Sequence, residues 1–311
     1  MLFDAALMLQ LVRRNLAMRK RVTVATVVGL VSGTYCWFLL KHLHQGAGDF
    51  NWALHLAQRL VAGKNPYDTP LEQYPLPAAF AALPFLRVAP EIAGGLFFGI
   101  SSALLALGLT RDNYVRLRVF LAYPYWAGVL TAQWPAIIAA SAFFPLLLPV
   151  TMMKPQVGVP VFLTRLSRRG LLACVFVAAL SFAVLPNWLG VWLRQTHYYD
   201  HFIPMLVFPG PLLVLALLRY RERDAWLLLF ASIMPQRWFF DAFTLWLIPR
   251  SRRELVLTSL LSWGAGIWRW YHQPLTFTEV GRAVVLFLYL PMLIVVLARR
   301  TSPSAPVTDS Q

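Results

Sequence analysis

The chain has 311 residues, of which 59% are hydrophobic and 13% charged, and its mean hydropathy is +0.59. This composition excludes an ordinary soluble protein, whose surface would need many more charged residues, and it indicates an all-α, polytopic integral membrane protein. The 28 lysines and arginines outnumber 13 acids for a formal net charge of +15, but they lie in short loops between apolar runs, a pattern typical of membrane topology and not of nucleic-acid binding.

The N-terminal segment, residues 1–21, is weakly apolar and ends in a cluster of basic residues. It has no small-residue cleavage site of a secretory signal, so we expect an amphipathic helix on the cytoplasmic membrane surface. Residues 22–40 follow with 19 uncharged positions, enough to cross a ~30 Å hydrocarbon core at ~1.5 Å per residue. Cys36 and Cys174 lie inside apolar runs, and their positions indicate neither a disulfide nor a redox centre.

The next stretch, "HQGAGDFNWALHLAQRLVAGKNPYDTPLEQYPLP" at residues 44–77, is polar and should lie outside. Apolar residues recur there every three or four positions and predict an amphipathic helix on the outer membrane surface, apolar face down. Gly63 is expected to end this helix, and His55 falls on its polar face. The apolar positions are Phe50, Ala53, Leu54, Ala57 and Leu60.

Asp49 directly precedes this helix and permits two interpretations. As an N-cap, its carboxylate would accept free amide hydrogens of the first turn and stabilise the helix by about 1 kcal/mol. As a general base, it would stand where a membrane-embedded substrate meets the aqueous face. The two roles are compatible, although capping alone would lower the basicity of the carboxylate.

Basic residues cluster in five further loops, at residues 111–118, 165–169, 219–223, 250–254 and 298–300. The positive-inside tendency puts these loops in the cytoplasm and predicts about ten membrane segments in one domain, residues 22–300. Residues 225–249 should then form a re-entrant or broken hairpin that turns at "MPQRWFFD". A flexible cytoplasmic tail, residues 301–311, would follow.

Two regions leave the number of crossings open. Residues 76–110 are long for one crossing, and a cytoplasmic turn at Arg87 would move the loop at 111–118 to the outside. Residues 135–165 are too long for one span and too short for three. Their five prolines predict broken helices, which at membrane depth usually line a cavity.

Three basic residues fall on one helix face of the second external segment, because Arg194, His197 and His201 are spaced i, i+3, i+7. His197 and His201 also have the spacing of a metal-binding pair, but no third ligand is evident. Side chains at the membrane interface are the simpler interpretation.

Two further cations, Lys154 and Arg237, lie inside apolar segments, where an unpaired charge is costly. Lys154 has a stem long enough to reach an interface. Arg237 precedes Asp241 by one helical turn and could pair with it. Alternatively, either cation could be neutralised by an anionic ligand.

Three motifs occur in order over about residues 48–165: "GDFNWALHLAQRLVAGKNPYDTPLEQYPLP", "TAQWPAII" and "MMKPQVGVPVFL". Together they resemble the polyprenol-phosphate-mannose-dependent mannosyltransferases, glycosyltransferase family 87 of the GT-C superfamily. In that family a DF pair follows the first span, an amphipathic helix ends in G-x-N-P-Y-D, and a Y-P-P-like motif opens the next span. This chain departs at Leu76, an inserted residue, and at Ala132, where the family has a glycine.

The resemblance implies a GT-C-like fold and metal-independent transfer of a sugar, mannose in that family, from a polyprenyl-phosphate donor to a glycan or glycolipid hydroxyl. The reaction would occur on the non-cytoplasmic face, periplasmic or exterior if the membrane is bacterial, and no cofactor is implied. Asp49 matches the aspartate that deprotonates the acceptor. Cationic side chains would stabilise the phosphate leaving group; the candidates are Lys154, Arg194, His197, His201 and Arg237. The candidates for positioning substrate are His55, Tyr74, Gln133 and Gln156.

The sequence thus favours an integral membrane glycosyltransferase whose partners are a lipid-linked sugar, a glycan acceptor and membrane lipids. The alternative is a non-enzymatic carrier or flippase-like protein that binds an anionic lipid among broken helices. A relative that binds the lipid-linked sugar without turnover is a third possibility. An enzyme requires Asp49 at the mouth of the cavity, whereas a carrier requires only the basic groups.

Overall fold

A computed structural model of the chain describes residues 2–68, 73–196, 200–273 and 275–299. Within these ranges the regular secondary structure is helical, which confirms the predicted all-α class, and the β contact is an isolated bridge between Phe202 and Gln236. The predicted tail at 301–311 and His197 lie outside the described residues.

The described α-helices, in chain order, are α1 (Leu2–His42), α2 (Phe50–Val61), α3 (Pro77–Ala82), α4 (Pro90–Leu109), α5 (Tyr123–Val129), α6 (Pro135–Ser141), α7 (Pro155–Arg165), α8 (Arg168–Val184), α9 (Trp188–Gln195), α10 (Arg223–Ile233), α11 (Arg252–Tyr271), α12 (Phe277–Val284) and α13 (Leu290–Ala298). Short 3₁₀ helices connect them at Pro66–Asp68, Leu83–Phe85, Tyr114–Leu121, Pro145–Met152, Pro204–Leu206, Gly210–Arg219 and Phe239–Leu247. A π-helical turn, Val285–Tyr289, joins α12 to α13.

Several helices are long and apolar enough to cross a membrane. Three meet this condition by length and composition, Asn15–His42, Pro90–Leu109 and Phe277–Ala298, and a fourth span results if α8 and α9, bent by 93°, are taken together. The predicted number of about ten segments is not reproduced by this criterion. The other segments that the sequence predicted to cross are mostly short or proline-broken helices in the structure.

Helix α1 packs along α4 and runs antiparallel to it. Near the N-terminal end of α4, Gly94 lies against Ala47, and near the C-terminal end the Arg21 guanidinium donates to the Leu107 carbonyl oxygen at 2.9 Å. Residues 90–109 therefore traverse the molecule once, and the turn at Arg87 lies at the same end as Asp49. Helix α1 is continuous through residue 21. The segment predicted to lie on the membrane surface and the predicted first span therefore form one helix.

The amphipathic helix predicted after the first span is α2, and Gly63, with φ of +67°, follows its end as expected. Its apolar face is covered by protein and not by the membrane surface that the sequence predicted. The Phe50 ring stacks on Phe97 with ring centroids 4.2 Å apart and also contacts Phe85 and Trp134. The periodicity was sufficient to predict the helix, but the aromatic partner residues are distant in sequence.

Residues 135–165 are broken at prolines, as predicted. Pro135, Pro145 and Pro155 each stand at the first position of a new helical segment, where the missing amide hydrogen costs least. The chain runs from Gln133 toward Phe143, which lies at the other end of the molecule, and comes back to Lys154 beside Gln133. Helix α7 then runs away from Lys154. The break before Pro155 is the one that contributes to the site.

The predicted hairpin at 225–249 is formed by α10 and the 3₁₀ helix Phe239–Leu247. Its two ends meet at Arg299, which donates to the Asp224 carboxylate and to the Ile248 carbonyl oxygen, each at 2.5 Å. Its turn, which contains Arg237, lies at the opposite end of the molecule. Both arms are short, since α10 has 11 residues and the 3₁₀ helix has 9.

The basic loops gather at one end of the molecule, which we call the basic end. Buried Asp224 lies 2.5 Å from Arg299, 2.7 Å from Arg250 and 3.7 Å from Arg165. Arg116 donates to the nearby Leu247 carbonyl oxygen. The buried Asp224 carboxylate thus joins the ends of α7, α10 and α13 through ion pairs. One carboxylate does not neutralise the three arginines around it.

We expect cysteines at the two ends to differ in labelling by an impermeant thiol reagent applied to intact cells. Lys64→Cys and Thr278→Cys, at exposed sites near the cavity end, should react from outside, whereas Arg221→Cys and Arg252→Cys, at the basic end, should react only after lysis. The native Cys36 and Cys174 are buried and give a low background. The reversed pattern would contradict the orientation assumed for any reaction at Asp49.

Candidate functional site

A cavity of about 570 Å³ opens at the end opposite the basic end. Residues from six separate parts of the sequence line it, between Gln45 and Phe277. Six of the ten predicted site residues are among them: Asp49, Tyr74, Gln133, Lys154, Gln156 and Arg237.

The Asp49 backbone is fixed against the loop that precedes α6. Its amide donates to the Thr131 carbonyl oxygen at 2.8 Å. The neighbouring Gly48 has φ of +61°, and a Cβ there would lie 2.5 Å from the same oxygen, so the close approach requires glycine. This contact holds the residue at the cavity wall beside Gln133.

The Asp49 side chain does not act as the N-cap considered above. The backbone of Asp49 is helical, and the side chain forms no capping hydrogen bond to α2. Instead, Oδ2 accepts a short hydrogen bond from the Tyr74 hydroxyl and lies 3.4 Å from Lys154 Nζ. Oδ1 has no hydrogen-bond partner among the described residues, and the side chain is 20% exposed. The carboxylate is therefore held through one oxygen while the other stays available.

Lys154 is buried and does not extend to an interface. It immediately precedes Pro155, which favours an extended backbone and ends the preceding 3₁₀ helix. The ammonium donates to Gln133 Oε1 at 2.7 Å and lies 3.2 Å from Asp241 Oδ1 and 3.4 Å from Asp49 Oδ2. Lys154 is thus a cation shared by two carboxylates, and one amide oxygen fixes its position.

Asp241 is the principal site residue that sequence reasoning missed, because it was considered only as a partner of Arg237. Its side chain is 0% exposed. Oδ2 accepts from the Arg237 amide at 3.0 Å and the Trp238 amide at 3.4 Å, while Oδ1 faces Lys154. An acid inside an apolar segment was a usable signal, since such a residue is costly unless it is paired.

Arg237 extends toward the cavity mouth and is exposed. Its guanidinium donates to the Gln73 side-chain oxygen at 3.3 Å, a neutral partner. Among the described residues, the site therefore brings together two cations, Lys154 and Arg237, and two carboxylates, Asp49 and Asp241. Because Lys154 is buried and Arg237 is exposed, Arg237 is the more accessible of these two cations to an anion that enters from solvent.

The other predicted residues lie elsewhere. Arg194 and His201 are exposed and do not line the cavity, and His55 lies on α2 away from it. Helix α9, which carries Arg194, does contact the loop before Tyr74, since Trp192 Nε1 donates to the Gln73 carbonyl oxygen at 3.1 Å. No group of three or more histidine, cysteine, aspartate or glutamate side chains that could hold a metal is present in the described ranges.

Ala132 adopts a left-handed conformation, with φ of +49°, between Thr131 and Gln133. We expect Ala132→Gly to stabilise the protein by up to about 1 kcal/mol, because this conformation costs an alanine roughly 1–2 kcal/mol, part of which the greater unfolded-state entropy of glycine offsets. The measurement is the thermal unfolding midpoint in detergent.

Ala136→Gly is the matched control, since Ala136 is buried in α6 with helical neighbours. It should lower the midpoint, because glycine costs helix stability relative to alanine and the substitution removes a buried methyl group. Destabilisation by both substitutions would show that Ala132 is not strained.

Comparisons with known proteins do not extend these observations. No protein-family model, curated protein or solved structure matches the chain.

Proposed function

We propose that the chain is an integral membrane glycosyltransferase of the GT-C type. It transfers a hexose, mannose by the resemblance of its motifs, from a polyprenyl-phosphate donor to an acceptor hydroxyl on the non-cytoplasmic side. The observation that carries the proposal is the convergence of Asp49, Lys154 and Arg237 on one cavity at the end opposite the basic loops. These residues are separated by up to 188 positions, the difference between 237 and 49.

The chemistry assigned to the site needs one base and one anion-binding group. Asp49 Oδ1 accepts the acceptor hydroxyl proton as the hydroxyl oxygen forms its bond to the anomeric carbon. The bond from that carbon to the donor phosphate breaks, and the electron pair leaves with the phosphate. Inversion at the anomeric carbon follows from direct displacement.

Arg237 is assigned to the phosphate and Lys154 to the base. The charge that develops on the leaving phosphate is stabilised by a guanidinium at the cavity mouth through charge-assisted hydrogen bonds. Lys154, held by Asp241 and Gln133, fixes Asp49 in place.

The carrier alternative fits this site less well. A carrier for an anionic lipid needs an excess of positive charge, whereas among the described residues of this site two carboxylates, Asp49 and Asp241, both contact Lys154. A buried carboxylate beside an anionic ligand is unfavourable unless it serves another purpose. Orientation of Lys154, and through it of a base, is such a purpose.

The proposed topology completes the assignment. The N-terminus and the basic loops are cytoplasmic, the cavity opens to the periplasm or exterior, and about ten segments cross or re-enter the membrane, several of them as proline-broken helices. The short helices around the cavity support this arrangement, because irregular backbone at membrane depth occurs where it lines a cavity.

We expect Arg237→Met to weaken donor binding by more than about tenfold, equal to ~1.4 kcal/mol. The substitution keeps length and removes the charge. The measurement is equilibrium binding of a short-chain polyprenyl-phosphate mannose to the purified chain in detergent. Arg194→Met is the control, since Arg194 is exposed and outside the cavity. If Arg194→Met loses affinity and Arg237→Met does not, the donor phosphate binds on α9 instead.

The proposed activity is tested with the same donor and an extract of cell-envelope glycolipids as acceptor. The readout is release of polyprenyl phosphate together with a mannosylated product. Donor binding without release under these conditions would favour the carrier. No donor binding would contradict both the proposed transfer from this donor and a carrier of the same lipid-linked sugar.

A further inference from the structure

A second cavity, distant from the proposed reaction site, lies at the basic end between α11 and α13. Its volume is about 490 Å³. Basic and polar side chains occupy one end, including Arg253, Glu254 and Arg299, and the rest is apolar, including Leu257 and Leu261. The cavity therefore has one charged end and one hydrocarbon end, the division found in a phospholipid.

The length of the cavity fits one membrane leaflet. Along α11 it extends from Ser251 to Leu261, ten positions that span roughly 15 Å at ~1.5 Å per residue. This is half of a ~30 Å hydrocarbon core. An acyl chain that follows the groove would thus begin at the basic end and stop near the bilayer midplane.

The charges at the head of the groove favour an anion. Glu254 accepts from the amides of Arg250 and Ser251 and lies 3.5 Å from Arg299, so its charge is already compensated. Arg253 is exposed and has no side-chain partner among the described residues. The backbone amides of Arg252 and Arg253, in the first turn of the 20-residue helix α11, add a favourable field for a negative group.

We propose that this groove binds one anionic glycerophospholipid, with its phosphate at Arg253 and the start of α11 and one acyl chain between α11 and α13. Basic pockets between helices on the cytoplasmic side of a membrane select anionic headgroups. The proposal requires the chain to lie in a membrane and is independent of the proposed sugar transfer. Occupancy would brace α11 against α13, and Arg299, which directly follows α13, holds Asp224.

The test is native mass spectrometry of the full chain in detergent, titrated with phosphatidylglycerol and with phosphatidylcholine. We expect one phosphatidylglycerol to bind in preference to phosphatidylcholine, and Arg253→Gln to weaken it about fivefold, the change expected for one arginine at a headgroup. Arg169→Gln is the matched control, since Arg169 is likewise exposed at the second position of a serine-capped helix. It should change the affinity by less than about twofold.

A charge-neutral variant tests the groove itself. Ala298→Trp adds bulk to an exposed wall residue and keeps every charge, and it should weaken phosphatidylglycerol binding as much as Arg253→Gln. Equal losses in Arg253→Gln and Arg169→Gln would indicate diffuse attraction and overturn the proposal. So would unchanged binding by Ala298→Trp, equal binding of phosphatidylcholine, or displacement of the lipid by inorganic phosphate.

Discussion

Asp49→Asn should abolish sugar transfer, with a loss of about 10²–10⁴ in turnover, while donor affinity changes by less than about threefold. Asparagine keeps the size of the side chain and an oxygen that can accept from Tyr74 and Lys154, but it cannot take up a proton at neutral pH. Folding should be preserved because Lys154 retains Asp241 as a partner at 3.2 Å. Turnover and donor binding are measured on the same purified sample.

Asp68→Asn is the control for this experiment. Asp68 lies in the same segment between α1 and α3, is 64% exposed on its side chain, and is 3.8 Å from Arg59 outside the cavity. Exposed ion pairs contribute ~0–1 kcal/mol, so transfer should remain near the wild-type rate. If Asp49→Asn also transfers sugar within about fivefold of wild type, Asp49 serves only to hold Lys154 and another group is the base.

The elements that the sequence predicted well are those with a local cause. Residues 22–40 lie in an apolar helix, α2 has a three-to-four residue period, and Pro135 and Pro155 start new helices because proline lacks an amide hydrogen. The covering of α2 by Phe97 and Trp134 depends on contacts between distant segments, which periodicity does not contain.

The same distinction applies to the site. Lys154 and Arg237 were proposed because charge is rare and costly in apolar surroundings, and this cost does not depend on knowing the fold. Asp49 was proposed from its place before α2 and from the resemblance of the motif that contains it. The sharing of Lys154 by two carboxylates was not predictable, since Asp49 and Asp241 are separated by most of the chain. Arg194 and His201 were proposed from helical spacing, which aligns side chains on a face without showing what that face contacts.

The largest effect on stability is expected for Lys154→Met. This substitution leaves Asp241, which is 0% exposed, beside Asp49 with no ammonium between them. Removal of one partner from a buried ion pair costs about 3–5 kcal/mol, because the remaining charge is uncompensated. We expect the unfolding midpoint in detergent, followed by tryptophan fluorescence, to fall by roughly 5–15 °C. Lys64→Met, at an exposed position after α2, should change it little.

The double variant Lys154→Met, Asp241→Asn separates pairing from packing. If the cost of Lys154→Met comes from the orphaned carboxylate, neutralising Asp241 should recover part of the lost stability, with a coupling of about 0.5–3 kcal/mol between the two positions. Additive losses would mean that the two side chains do not form a functional pair. In the double variant Asp49 lacks the cation that contacts its Oδ2. A double variant with recovered stability should therefore still transfer sugar poorly. Restored folding without restored transfer would assign Lys154 a positioning role, and full recovery of both would leave the ion pair a purely structural element of the cavity wall.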